Sequence, residues 1–313
     1  EVLTKAVQSL LDISTPPRRL EAMQAFFTGT YTGINQKDFD KLVMLMPENA
    51  RLPIVHSLFD ILQQTPEAAG RVMCLNRVAV SLLKMTPEEE LEKAVQEILQ
   101  EYQKVTKPLE RGEGFLEIAG VIIQENIHMA QQYLEEGIQE IEKVYESPDA
   151  QNLAMAAEET VYRMLSKIMP LLHKLPKTLV YPLWDRMIQI TQWISSRSRD
   201  PLLCEMTVSL FSYDQDKAMQ LAIQIESAEY RQKTVARLLA LPAKSLNLEL
   251  FEQVILKQAP EMYGYILLQE MAEKDLGRAR RLLRSMPDSL ETKIASARFF
   301  RQPGQRIREL LNL

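Results

Sequence analysis

Glycine is scarce in this chain, at 10 of 313 residues, and so is the chemistry that a flexible backbone serves. There is no Gly-rich phosphate loop: Gly112-Glu113-Gly114 lacks the preceding strand and the Lys that such a loop needs. No Gly-x-Ser-x-Gly elbow occurs. Histidine is rarer still, with three residues. Glu125-x-x-His128 has the spacing of a di-iron helix, but the second Glu-x-x-His is missing, because Pro53 and Pro170 stand three residues before His56 and His173. We therefore expect no metal and no cofactor. Cys74 and Cys204, the only cysteines, are 130 residues apart. They are too few for a metal cluster or a disulfide framework, so we expect two buried free thiols in reducing cytoplasm. A Cys204–His173 nucleophile pair is the one covalent-catalysis arrangement left open. No apolar run reaches the roughly 18 residues that span a bilayer, and the opening residues hold no secretory apolar region. No alternating β-branched run bounded by turn residues reads as a strand.

What the chain has is helix-forming residues (Leu, Glu, Gln, Ala, Lys, Met) and 16 prolines placed mostly at corners. Thr65-Pro66-Glu67, Thr86-Pro87-Glu88, Ser147-Pro148-Asp149 and Asp200-Pro201 predict helix starts, with a capping oxygen, a proline without an N–H, then acids near the positive helix end. Met46-Pro47, Met169-Pro170, Leu175-Pro176, Leu241-Pro242 and Met286-Pro287 predict helix stops, since proline pushes the preceding residue out of helical geometry. Between these corners apolar residues recur at helical spacing, for example Leu91, Val95, Ile98, Leu99 and Tyr102.

One segment repeats. Asp214 to Ala240 lies over Asp275 to Arg301 at an offset of 61, with Ala218, Leu221 and Ile225 falling on Ala279, Leu282 and Met286. A further hairpin lies between the two copies, so the unit is one hairpin of about 30 residues, too small to bury its own apolar face. We expect an all-α, right-handed α-solenoid of about seven to eight stacked helical hairpins, continuous over 1–313. It has shorter hairpins over 1–85, longer helices over 86–200 and shorter hairpins again over 201–313. On the Ala218-Leu221-Ile225 and Ala279-Leu282-Met286 series and their Pro-marked turns, the chain resembles the HEAT and tetratricopeptide class of helical-hairpin solenoids. That resemblance implies a concave face that holds a peptide, a helix or another protein.

The net charge of −5 argues against a whole-surface nucleic-acid binder. Charge is unevenly spread, however: Thr86–Thr160 holds 18 acidic and 5 basic residues, whereas Lys274–Leu313 holds 10 basic and 4 acidic. Lys274, Arg278 and Arg281 recur at one helix face and Arg284 stands near it, a candidate surface for an acidic partner. Trp184 and Trp193 are nine residues apart, about 180° round one helix, so one of them is a candidate exposed anchor. The expected function is a non-catalytic scaffold for a protein or peptide partner, acidic ones included. The alternatives are a binder of nucleic acid or anionic membrane through the Arg-rich face, and an enzyme inside a helical toroid.

Overall fold

The computed structural model describes residues 36–64, 70–146 and 150–241, with scattered residues on either side. Among the described residues every regular element is a helix and there is no strand. In chain order they are α1 (Gln36–Met44), α2 (Glu48–Gln63), α3 (Arg71–Met85), α4 (Glu88–Gln103), α5 (Pro108–Ile122), α6 (Ile127–Glu146), α7 (Ala150–Leu172), α8 (Lys177–Thr191), α9 (Ser196–Leu210), α10 (Gln215–Gln224) and α11 (Ala228–Ala240). The longest, α6 and α7 at 20 and 23 residues, lie in the stretch expected to hold the longer helices. The chain divides into two compact units, Glu1–Ile190 and Thr191–Leu313.

In the first unit successive helices from α1 to α7 pack on one another, and the odd-numbered helices also pack on their second neighbours. Helix α3 touches α2 and α4, and also α1 and α5; α5 touches α4 and α6, and also α3 and α7. Odd-numbered helices thus form one layer, against which the even-numbered helices pack, the arrangement of an α-solenoid. The core is a row of local clusters rather than one centre. Val55, Phe59 and Leu62 of α2, Leu75, Val78 and Leu82 of α3, and Val95, Ile98 and Tyr102 of α4 are all buried, at the three- and four-residue spacing that puts them on one side of each helix. In the second unit α9 packs on both α10 and α11, burying Met206, Leu210, Ala218, Leu221 and Leu238.

Corners follow the proline pattern at Pro47 and Pro176, each just before a helix, and at Leu241, which closes α11. Two expected boundaries are corrected. Pro170 lies inside α7 and Pro201 inside α9. Pro201, like Pro53 in α2 and Pro182 in α8, is the sixth residue of its helix. A proline there deprives only the carbonyl four residues earlier, and Asn49, Thr178 and Arg197, which carry those carbonyls, are exposed to water. Thr86 is corrected too: it does not cap α4, because its Oγ1 donates back to the Leu82 carbonyl of α3 at 2.8 Å. Asp200 caps elsewhere, its carboxylate accepting from the N–H groups of Glu226 (3.3 Å) and Ser227 (2.7 Å) ahead of α11. The Thr65, Ser147 and Met286 corners lie outside the described residues.

The 61-residue repeat reappears as one capping bond made twice. Asp214 Oδ1 accepts from the Lys217 N–H at 3.0 Å, and Asp275 Oδ1 accepts from the Arg278 N–H at 2.9 Å. In the first copy the aspartate meets the third residue of α10, and in each copy it accepts from the N–H three residues on. Replacing Asp214 with Ala should cost about 1 kcal/mol, read as a lowered urea midpoint, while Asp214→Asn should cost less.

Helices α1 and α3 are tied by a polar cluster. The Asp40 carboxylate accepts from Gln36 (2.8 Å), Ser81 (2.6 Å) and Lys84 (2.6 Å). Burial pushes this carboxyl up, but the bonds from Lys84, Ser81 and Gln36 outweigh it and hold it below its ordinary value of 3.8. A carboxyl depressed in the fold stabilises above its unfolded value, and that contribution is lost as pH falls through the folded one. The stability gap between wild type and Asp40→Asn should therefore be widest near neutrality and close as pH drops below about 4; thermal melts at pH 7 and pH 3 check it.

Candidate functional site

The second-neighbour contacts leave a groove of about 1090 Å³ along the odd-numbered layer of the first unit. Helix α3 contributes Val72, Met73, Asn76 and Arg77; α5 and the turn before it contribute Lys107, Leu109, Glu113 and Glu117; α7 contributes Ala157, Thr160, Arg163 and Lys167. On every helix these residues recur at three- or four-residue steps, so each series is one stripe facing the groove. Lys143 and Val144 close one side from the end of α6.

Ion pairs bind the stripes to one another. Arg163 donates from Nε and Nη2 to Glu113 Oε1 (2.9 and 2.6 Å), and one turn on Lys167 donates to Glu117 Oε1 (2.7 Å). These two rungs join α5 to α7. Lys107 meets Glu110 at 2.7 Å across the start of α5. The groove thus has walls of paired charge and apolar side chains between them.

A charge motif occurs twice in the same unit. In the first copy Arg71 donates Nε to the Leu62 carbonyl (3.1 Å) and Nη2 to Glu101 Oε2, while Lys104 meets Glu101 Oε1 at 2.6 Å. In the second, Arg111 donates Nη1 to the Val105 carbonyl (2.9 Å) and Nη2 to Glu140 Oε2 (2.6 Å), while Lys143 meets Glu140 Oε1 at 2.6 Å. Each arginine closes a corner by reaching back to a carbonyl at or just past the end of the previous helix. Arg51, which donates to Met46 and Met44 carbonyls, and Arg231, which donates to Ile225 and Glu226 carbonyls, do the same at α2 and α11. Arg51, Arg111 and Arg231 are each the fourth residue of their helix. Sequence reasoning missed this device, although an arginine five or six residues after an apolar helix end is a visible signal.

Close helix approach sets the groove's geometry. A Cβ on Gly114 would stand 2.0 Å from Cε1 of Tyr102, and one on Gly137 would stand 2.7 Å from a Leu116 methyl. Tyr102 is fully buried, donates to Asn76 Oδ1 at 2.7 Å, and sets its ring edge on Phe115 with centroids 6.4 Å apart. Burial raises its phenol well above the ordinary value. Asn76, which lines the groove, is thus fixed from behind by Tyr102.

Trp184, one of the residues singled out from sequence, does not line this groove. Trp184 of α8 is fully buried, whereas Trp193 is 44% exposed, so the exposed member of the pair is Trp193. Its position is corrected: it lies in the turn after α8 rather than on that helix, which ends at Thr191. Arg278 is half-buried and Arg281 exposed, while Lys274 and Arg284 lie outside the described residues. Both cysteines are free and buried, and burial pushes the Cys74 thiol up to about 12. No helix among the described residues is long and apolar enough to cross a membrane.

No family model matches the chain, and no curated protein is similar to it. Among solved structures it is similar to a circular tandem repeat protein with novel repeat topology and enhanced subunit contact surfaces, at 12% identity and a TM-score of 0.41, over 98% of this chain and 74% of that one. It is also similar to Ton1535 from Thermococcus onnurineus NA1, at 14% identity and a TM-score of 0.41, over 99% of this chain and 90% of that one. Scores of this size leave the fold assignment resting on the helix contacts described above.

Proposed function

We propose that the chain is a protein-interaction scaffold of the reducing cytoplasm, whose inner groove holds a peptide, a helix or a folded partner without catalysing a reaction. The observation that carries this reading is the groove itself, assembled from one stripe on each of α3, α5 and α7. Its charged side chains hold one another in place, Arg163 on Glu113 and Lys167 on Glu117, which favours a fixed recognition surface over a set of reacting groups. Ion pairs tie the same helices to their neighbours, Arg71–Glu101 joining α3 to α4 and Arg111–Glu140 joining α5 to α6, and Tyr102 holds Asn76. Preorganisation of this kind lowers the ordering cost of binding. Small helical repeats stacked in one dimension commonly serve as extended binding surfaces for the same reason.

The test is affinity capture with the full chain from a lysate of its source cells, identification of the bound protein, and reconstitution of the pair. Amide exchange on the reconstituted complex should slow in α3, α5 and α7. Protection confined to other helices would overturn the reading.

A further inference from the structure

We propose that the groove takes an acidic, amphipathic segment of its protein partner. This deepens the scaffold reading and rests on it. The argument is the depth at which each charge sits. In four ion pairs of the described residues whose cations line the groove, the cation is the more exposed member. Arg163 is 53% exposed against 15% for Glu113, Lys167 42% against 32% for Glu117, Lys107 74% against 41% for Glu110, and Lys143 44% against 5% for Glu140. The carboxylates stay deeper and the ammonium and guanidinium tips meet solvent. What a visitor meets is therefore cationic, although the surrounding stretch from Thr86 to Thr160 is strongly acidic by composition.

These cations have donors to spare. A lysine carries three N–H donors and an arginine five; Lys167 spends one on Glu117, and Arg163 spends two on Glu113. A carboxylate from a partner can add to each pair without breaking it. Between the charged walls Met73 and Leu109 offer apolar contact, which calls for apolar side chains beside the acids. The whole chain carries a net charge of −5, so an acidic segment is drawn to local clusters of cations such as this one. A nucleic-acid backbone is the weaker match. None of the described residues lining the groove is aromatic, so they offer bases no stacking platform, and Glu113 and Glu117 add negative charge that disfavours phosphates.

Two helix spacings of roughly 8–10 Å across α3, α5 and α7 give a track of about 20 Å, which a helical segment of about 13 residues spans. The experiment is a selection of displayed random 20-residue peptides on the full chain. It is run in parallel on the full-length triple variant Lys107→Gln, Arg163→Gln, Lys167→Gln, with a single-stranded RNA 20-mer as a separate probe. Peptides rich in Asp and Glu with interspersed Leu, Met or aromatic residues are expected, binding the variant at least tenfold more weakly. Amide exchange on the wild-type protein with one such peptide should slow over 108–117 and 157–167, a readout that stands even if the variant folds poorly. Enrichment of basic or uncharged peptides that still protect this groove would overturn the acidic partner and leave the scaffold reading in place. Peptides indifferent to the variant and protecting other helices would overturn both, as would no enrichment at all. RNA binding that protects the groove in place of peptides would reassign it to nucleic acid.

Discussion

Gly114→Ala should be among the most damaging single-methyl changes in the chain, lowering stability by about 3 kcal/mol. The added Cβ would sit 2.0, 2.3 and 2.4 Å from three ring carbons of Tyr102. That ring has nowhere to go: it is fully buried, tethered through its hydroxyl to Asn76, and packed edge-on to Phe115. Helix α5 must move away from α4, or Tyr102 must leave its rotamer. Against this, alanine is a better helix former than glycine by about 1 kcal/mol, which offsets only part of the loss. The same helix supplies the control. A Cβ on Gly120 would meet only Leu171 methyl groups at 3.9 Å, an ordinary contact. Gly120→Ala should be neutral or stabilising by up to about 1 kcal/mol. Urea melts of the two variants followed by circular dichroism should separate them in opposite directions. Because the clash dislodges Asn76 as well, Gly114→Ala should also weaken whatever the groove binds.

Glu101→Ala should cost about 3–5 kcal/mol. Glu101 is 3% exposed and accepts from Arg71, itself 4% exposed, and from Lys104. Removing the carboxylate strands a guanidinium that water cannot reach, and the penalty is mostly that of an unpaired buried charge. The second copy of the motif is wetter, since Arg111 is 22% exposed, so Glu140→Ala should cost less. Replacing both charges, Arg71→Met with Glu101→Leu, should recover much of the loss, because no ion is then left unpaired. Recovery stays incomplete because the Arg71 bond to the Leu62 carbonyl goes as well. Melts of the two single variants and the double variant form a cycle. A double variant no more stable than Glu101→Ala would show that the corner bond, not the pair, carries the energy.

These two sites mark the limit of what the sequence disclosed. Helical spacing and proline corners were legible because they are local: apolar residues at three- and four-residue steps and a proline beside a helix end act within one turn of chain. The 61-residue repeat was legible for the same reason, and its aspartates at 214 and 275 both cap helices. Proline misled where its cost was small. At the sixth position of α9 it removes one bond near a helix end, so Pro201 reads as a boundary and is not one. Gly112-Glu113-Gly114 could be read only as a failed phosphate loop, because the neighbours that require glycine there, Tyr102, Gly137 and Met164, come from other helices. The groove was illegible on the same account. Arg163 and Lys167 look like any solvated helix face until α5 sets Glu113 and Glu117 beside them, 50 residues away in the chain. The acidic count over Thr86–Thr160 misdirects as well, since Glu101 and Glu140 are buried against arginines and add no charge to the surface.

The measurement that tests the central claim most directly is photo-crosslinking from single positions. A benzophenone amino acid replaces Met73 in the groove, and in a second full-length protein it replaces Gln96, an exposed residue of α4 among the even-numbered helices. Irradiation in a lysate of the source cells should yield a defined protein adduct from position 73 and little from position 96, with the adduct competed away by unlabelled wild-type chain. An adduct formed only from position 96, or none from position 73 under conditions where a partner is captured, would contradict the account.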